Sequence, residues 1–330
     1  MMYILYFFLL LKEYKNFRLN NLHMSKFNLV DTINEFQLPT PNKISLETPE
    51  LPFRDSVISY VRTHNPQLAI LTPCYGGLCH TNYVQCLIST IELLRNFGIS
   101  VQHEFCRNDS LVTRARNNLI GKAMNNKKNT HFMFIDSDIS WDPIDILKLL
   151  VSDKHIVGGV YPLKKYEWTK LIKDPNNPYN SNAIQNILDK KGHGFFKTKE
   201  VSDEDLIRSN LVRYNVNYLG TTLKIDDNLA KVRHIATGFM MLKRELLTTM
   251  QKAYPQTKYT DDVGFLSPDE CEFTYALFDC GIDEGHYLSE DWLFCDRWNK
   301  LGGDIYINVA VDLTHTGPED FKGSFISSII

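Results

Sequence analysis

Apolar positions along this chain fall into two alternating rhythms, and the alternation itself predicts a fold class. Unbroken runs at Leu68-Ala69-Ile70-Leu71 and Phe132-Met133-Phe134-Ile135 read as buried strands. Ser100 to Cys106, Ile156 to Tyr161, Val232 to Lys243 and Ile305 to Val311 read as further strands. Between them the spacing turns helical. Asn82 to Phe97 places Val84, Leu87, Ile88, Ile91 and Leu94 on its inner side and stops at Gly98. A second helix follows the cap Asn108-Asp109-Ser110, with Leu111, Val112, Ala115, Leu119, Ile120 and Ala123 at helical spacing. A third starts at Pro143, capped by Asp142, and carries Ile144, Ile146, Leu147, Leu149 and Leu150. A fourth runs from Ser289 to Lys300 and stops at Gly302-Gly303. Strands alternating with helices predict an α/β fold with a largely parallel sheet and right-handed crossovers.

Two polar stretches interrupt the rhythm. Residues 25–67, with Pro39, Pro41, Pro49, Pro52 and Pro66, read as an extended N-terminal lead-in on the surface of a domain that spans 68–330. Residues 164–230 are polar and rich in Lys and Asn, with a turn at Asp174-Pro175-Asn176-Asn177-Pro178. They read as an insertion over one end of the sheet, a place from which a segment often covers a site. Met1 to Leu11 is almost wholly apolar, but a spanning helix needs about 20 residues. That run also lacks the basic start and small-residue cleavage site of a secretory signal. Met24-Ser25-Lys26 offers a second start, which would make the first 23 residues spurious, so residues 1–24 are set apart as a spurious or flexible N-terminus; a weak membrane anchor is the alternative.

Composition changes this picture little. The chain has 330 residues, of which 43% are hydrophobic, enough for a sizeable core. A net charge of -3, from 36 basic and 39 acidic residues, gives no global pull toward nucleic acid or an anionic membrane, and neither is expected as a partner. The seven cysteines contain no C-x-x-C pair. They are expected as free thiols in a reducing, cytoplasmic compartment. Neither G-x-x-x-x-G-K-[ST] nor a G-x-G-x-x-G after a strand occurs, which excludes a P-loop kinase and removes the dinucleotide fingerprint.

The candidate chemistry begins at Asp136-Ser137-Asp138, directly after an apolar strand. Open α/β sheets bind ligands beyond the carboxyl ends of their strands. Paired carboxylates there suit a hard divalent cation, and such a cation suits a phosphate. The expectation is a metal-dependent enzyme with a phosphorylated donor, a nucleotide sugar first among them. Gly238 breaks the apolar strand from Ile235 to Met241, either for close approach of a substrate or as a bulge. Ser289-Glu290-Asp291 reads in two ways: an N-cap with acids in the first turn, or a pair from which Asp291 or Glu290 binds an acceptor hydroxyl and takes its proton. His315 lies at an element end and could complete a site with the two aspartates. Imidazole with carboxylates leans toward Mn²⁺ over Mg²⁺. Lys322, seven residues on, is placed to reach a diphosphate.

In this order, LTPCYGG, SLVTRARN, FIDSD, ATGFMML, SEDW and HTG resemble the motifs of GT-A glycosyltransferases, over residues 68 to 323. The resemblance implies a Rossmann-like, three-layer α/β/α sandwich of GT-A type with a polar insertion. It implies that Thr72, Pro73 and Tyr75 hold the nucleotide base and ribose, and that Arg114 and Asn117 lie beside the donor. Asp136 and Asp138 would bind ribose and metal, with His315 the third metal ligand and Gly317 and Lys322 on the donor side. Asp291, with Glu290, would bind the acceptor. A narrower likeness is to glycosyltransferases of large DNA viruses, including collagen-glucosylating enzymes that add glucose to galactosyl-hydroxylysine. It implies UDP-glucose, Mn²⁺, retention of configuration, a glycan, glycoprotein or collagen-like acceptor, and the host cytoplasm. Inversion, with Asp291 as base, stays open, as does a homo-oligomer. The alternatives are a sugar nucleotidyltransferase, against which the loop Cys74 to Leu78 speaks by lacking Lys and Arg, and a non-catalytic nucleotide-sugar-binding module.

Overall fold

The computed structural model describes residues 51–171, 182–192 and 201–329. The apolar start, the second start at Met24, the lead-in before residue 51 and the Asp174 to Pro178 turn lie outside them. Helix α1 (Leu51–His64) leads into β1 (Gln67–Cys74), α2 (Thr81–Asn96), β2 (Ser100–Arg107), α3 (Val112–Asn125) and β3 (His131–Ile135). After the acidic corner come β4 (Ile139–Ser140), α4 (Pro143–Val151) and β5 (Ile156–Gly158). The polar stretch supplies β6 (Pro162–Tyr166), α5 (Ala183–Asp189), α6 (Asp203–Leu211), β7 (Val212–Tyr214), β8 (Val216–Asn217) and β9 (Ile225–Asp226). Then follow β10 (Leu229–Val232), β11 (His234–Ile235), β12 (Phe239–Lys243), α7 (Arg244–Ala253) and a hairpin of β13 (Gly281–Asp283) and β14 (His286–Leu288). The chain closes with α8 (Glu290–Lys300), β15 (Ile305–Asn308), β16 (Thr314–Thr316), β17 (Asp320–Lys322) and α9 (Phe325–Ile329).

The central sheet has the order β2-β1-β3-β12-β5-β15-β10-β9. Strands β2, β1 and β3 are parallel, as are β5 and β15, while β12 and β10 run against their neighbours. Six of the eight strands therefore share a direction, the α/β, Rossmann-like arrangement that the alternating rhythm predicts. Antiparallel β12 begins at the edge where β3 ends, with Phe239 opposite Ile135. That register sets Gly238 against the acidic corner.

Period-two alternation feeds two cores. Ala69, Leu71, Phe132 and Phe134 face one side with Leu119 of α3, Leu246 and Leu247 of α7 and Phe294 of α8. Leu68, Ile70, Met133 and Ile135 face the other with Val57 of α1, Leu94 of α2 and Ile146 and Leu147 of α4. The result is helix, sheet, helix. Each fully buried side chain of this size stabilises the fold by roughly 1.5–3 kcal/mol relative to exposure.

Local signals hold unevenly. Asp142 accepts from the Ile144 amide at 3.0 Å with Pro143 in the first turn, as expected. Helix α2 is rotated from expectation: Tyr83, Leu87, Thr90 and Leu94 are buried, while Val84 and Ile88 are exposed. The cause is an aromatic pair, Tyr83 edge-on to Trp141 with centroids 5.4 Å apart. Tyr83 bonds Thr72 and the Trp141 indole donates to Thr90 at 2.8 Å, so both polar ends are satisfied and outweigh two aliphatic side chains. Residues 51–64, read as extended lead-in, form helix α1, which buries Val57 and Tyr60. Pro52 falls in its first turn, where a missing N–H costs nothing. The polar insertion is not one open loop: β6 pairs with β7, and α6 buries Leu206 and Leu211. No helix among the described residues is long and apolar enough to cross a membrane.

Candidate active site

Strand β3 delivers the chain into a tight acidic corner. The Asp136 amide donates to the Gly238 carbonyl at 3.0 Å, and the Ile139 amide donates to the Asp136 carbonyl at 3.0 Å. Strand β4 then pairs with β16, placing Ile139 opposite His315, and the Thr316 amide donates to the Asp138 carbonyl at 2.8 Å. This small sheet brings positions 138 and 315 together. The loop after β1 joins the same corner through the His80 amide, which donates to the Ser137 carbonyl at 3.0 Å. That loop turns at Gly76 and Gly77, both in the left-handed region at φ 71° and 69°.

The first carboxylate is locked. Arg116 donates to both oxygens of Asp136, at 3.0 and 3.3 Å, and its Nε donates to Glu290 at 3.3 Å. The guanidinium is buried over the Phe134 ring, 5.4 Å from its centroid. Burial works against its charge, yet Asp136 and then Glu290 outweigh it and raise the Arg116 pKa. One arginine thus ties the end of β3 to the start of α8. A methyl group at Gly238 would lie 2.8 Å from the Tyr161 ring and 2.9 Å from Asp136 Oδ2. The space left by this glycine is therefore filled by Asp136 and Tyr161, which revises the expectation of a substrate against the backbone there.

The second carboxylate is reachable. Asp138 Oδ2 lies 3.4 Å from His315 Nε2 and accepts from Lys164 Nζ at 2.6 Å. Burial pushes the Asp138 pKa up, but the bonds from His315 and Lys164 prevail and hold it down at about 2. The His315 ring stands edge-on to buried Tyr161, with centroids 5.1 Å apart. His315 Nδ1 is 2.9 Å from the Pro162 carbonyl, which can only accept, so Nδ1 is the donor. In the neutral ring Nε2 then turns a lone pair toward a carboxylate oxygen. The positive charge that matches two such acceptors can be a proton on Nε2, which is the source of the His315 bond that lowers the Asp138 pKa, the Lys164 ammonium, or a metal ion.

Asp138 and His315 are the residues here that could hold a divalent cation. A histidine fixed through Nδ1 to a backbone carbonyl is the usual support for a metal-binding Nε2. Among the described residues, no group of three or more His, Cys, Asp or Glu converges to hold a metal. Asp136, expected as a metal ligand with Asp138 and His315, gives both its oxygens to Arg116 instead. Among the described residues, two donors are then left at this corner, Asp138 and His315. Hard cations in phosphate-handling sites commonly take one or two protein ligands and fill the rest with phosphate and water.

Asp291 sits in the first turn of α8 and is buried. Its Oδ1 accepts from the Ser289 hydroxyl and from the Trp292 amide at 2.9 Å. Ser289 occupies the N-cap position, yet its side chain makes no cap bond and serves the carboxylate instead. Burial raises the Asp291 pKa, and the Ser289 bond only partly offsets it. A carboxylate of raised basicity, beside Glu290 and within the field of Arg116, is equipped to accept a proton.

Other expected donor contacts have other work. Thr72 is buried, with its hydroxyl on Tyr83. Pro73 is half-buried and Tyr75 is 77% exposed, both at the carboxyl end of β1 beside the acidic corner. Arg114 turns away to Asp109, at 2.8 and 2.9 Å. Asn117 is buried and brackets the Phe278 backbone, donating to its carbonyl at 2.7 Å and accepting from its amide at 2.9 Å. Lys322 pairs with Asp205 at 3.1 Å. Alternation along β17 explains the miss: Phe321 is opposite His315, so Lys322 faces the other side. Gly317 does border the site, by leaving room for Lys164.

Sequence reasoning missed Arg116 and Lys164. Arg116 had a signal: it stands three, four and seven residues before Leu119, Ile120 and Ala123, so an arginine lies on the apolar face and requires buried partners. Lys164 had none, since its contact crosses from β6 to the acidic corner.

No family model matches this chain, and no curated protein matches it. Among solved structures, the crystal structure of A197 from STIV is similar at a TM-score of 0.39 and 14% sequence identity, covering 76% of this chain and 86% of that one.

Proposed function

We propose that this protein is a metal-dependent glycosyltransferase of GT-A type, moving a sugar from a nucleotide diphosphate donor to an acceptor hydroxyl. The observation that carries the proposal is the meeting of Asp138 and His315, 3.4 Å apart, from elements at opposite ends of the domain sequence. Asp138 and His315 would hold Mn²⁺ or Mg²⁺, which when bound would offset charge on the departing diphosphate. The rest is work for side chains. Arg116 orients Asp136 and Glu290 as one rigid wall. Tyr75 at the end of β1 offers a ring face to the nucleotide base. Asp291 positions the acceptor hydroxyl and, in an inverting reaction, takes its proton; in a retaining reaction it only positions. UDP-glucose as donor, and a glycan or galactosyl-hydroxylysine of a collagen-like protein as acceptor, rest on the sequence resemblance alone.

The test is a panel of nucleotide sugars with Mn²⁺, read out as free nucleotide. Slow hydrolysis from UDP-glucose is expected, stopped by chelation and by Asp138→Asn or His315→Ala. Full activity in both variants, unaffected by chelation, would overturn the proposal.

A further inference from the structure

We propose that Lys164 is a resident cation that neutralises Asp138 until a divalent ion replaces it, and that its released ammonium then binds the donor's diphosphate. This rests on the metal-dependent reading above and assigns a residue that the resemblance does not.

Three observations converge. Lys164 Nζ donates at 2.6 Å to the same Asp138 oxygen that faces His315 Nε2, so the ammonium stands where a cation would bind. The path of its side chain is built into the fold. A methyl group at Gly317 would lie 2.8 Å from Lys164 Cδ, so the stem crosses a backbone position left bare for it. Finally, β6 pairs with β7 on either side of Lys164, Pro162 opposite Tyr214 and Tyr166 opposite Val212, with the register shifting between them, so Lys164 lies in a bulge. The ladder anchors the strand before and after the bulge, and a four-carbon stem leaves the charge free to move. Arg116 and Lys322 do not offer this: the first is bound on both sides by Asp136 and Glu290, and the second by Asp205 on the far side of β17.

An ammonium and a divalent ion cannot share one carboxylate oxygen. Entry of the ion therefore releases Lys164 beside the phosphates that accompany it. Metal and diphosphate binding become coupled, each favouring the other.

The experiment measures binding of Mn²⁺ alone, by the loss of the free-ion paramagnetic resonance signal, and then of UDP in saturating Mn²⁺. Lys164→Met keeps the stem and removes the charge. Mn²⁺ alone is expected to bind about threefold to fivefold more tightly, in line with a half-exposed ion pair. UDP is expected to bind about tenfold more weakly, for loss of one charge-assisted bond. Gly317→Ala, which displaces the stem and keeps the charge, is expected to move Mn²⁺ affinity the same way and serves if the first variant fails to fold. Unchanged or weaker Mn²⁺ binding in the folded variants would overturn the inference. Asp138→Asn separates the two levels: if it binds Mn²⁺ like the parent, the metal reading itself falls. If it loses Mn²⁺ while Lys164→Met changes nothing, only the role of Lys164 falls.

Discussion

Asp136 and Asp138 stand two residues apart and meet opposite fates. Asp136 is gripped by a buried guanidinium that also holds Glu290. Asp138 is gripped by a lysine at the end of a flexible stem, with both side chains about a quarter to a third exposed. A buried, forked partner makes the first carboxylate part of the frame; a half-exposed, displaceable partner leaves the second ready for a ligand. In an acidic tripeptide, the partners decide which acid is free to work.

The strongest way to break this contrast is Arg116→Ala. It leaves Asp136 and Glu290 without a counter-charge, and a loss of about 3–5 kcal/mol is expected in chemical unfolding. A parent-like unfolding midpoint would mean that the first corner is not structural. Asp138→Asn is the mirror test: nucleotide release is expected to fall about 10²–10³-fold, with a smaller loss of stability than in Arg116→Ala because its ion pair is partly exposed. Loss of stability without loss of turnover would reverse the assignment of the two corners. Asn117→Ala sharpens the picture from the buried side. Leaving the Phe278 backbone groups unpaired is expected to cost about 1–3 kcal/mol, with UDP affinity of the folded protein unchanged. Lys322→Ala is expected to shift stability by less than about 1 kcal/mol and to leave UDP binding alone; weakened UDP binding would place that lysine back in the site. The finest effect concerns pH. Burial raises the Asp291 pKa, so its proton-accepting form is gained at higher pH than in an ordinary aspartate. The acid limb of the rate profile is expected to lie higher than that of an exposed aspartate and to disappear in Asp291→Asn; a limb that persists in Asp291→Asn would remove Asp291 from the chemistry.

The frame was legible because burial writes itself into periodicity. The runs ending at Leu71 and Ile135 became β1 and β3, and the Asp142-Pro143 start of α4 formed as read. The placing of Asp138 and Asp291 at element ends was legible for the same reason, whereas His315, read at an element end, lies in the middle of β16. Long-range partners were not. Which face of α2 turns inward was settled by Tyr83 meeting Trp141, a contact between distant positions. Lys322 was misread because the side it faces depends on the register of β16 with β17, which no local pattern states. Lys164 was hidden in a polar stretch whose composition resembles a solvated loop. Arg116 was within reach: a charge on an apolar helical face always asks what buried acid answers it.

The bare α-carbon at position 238 has a consequence for descent. It borders Tyr161 and Asp136 so closely that no methyl fits beside both. Drift at this position is therefore bound to drift at 161: among homologous chains, an alanine or serine in place of Gly238 should occur together with a smaller residue than tyrosine. A single missing methyl thus links two distant letters of the sequence into one heritable unit.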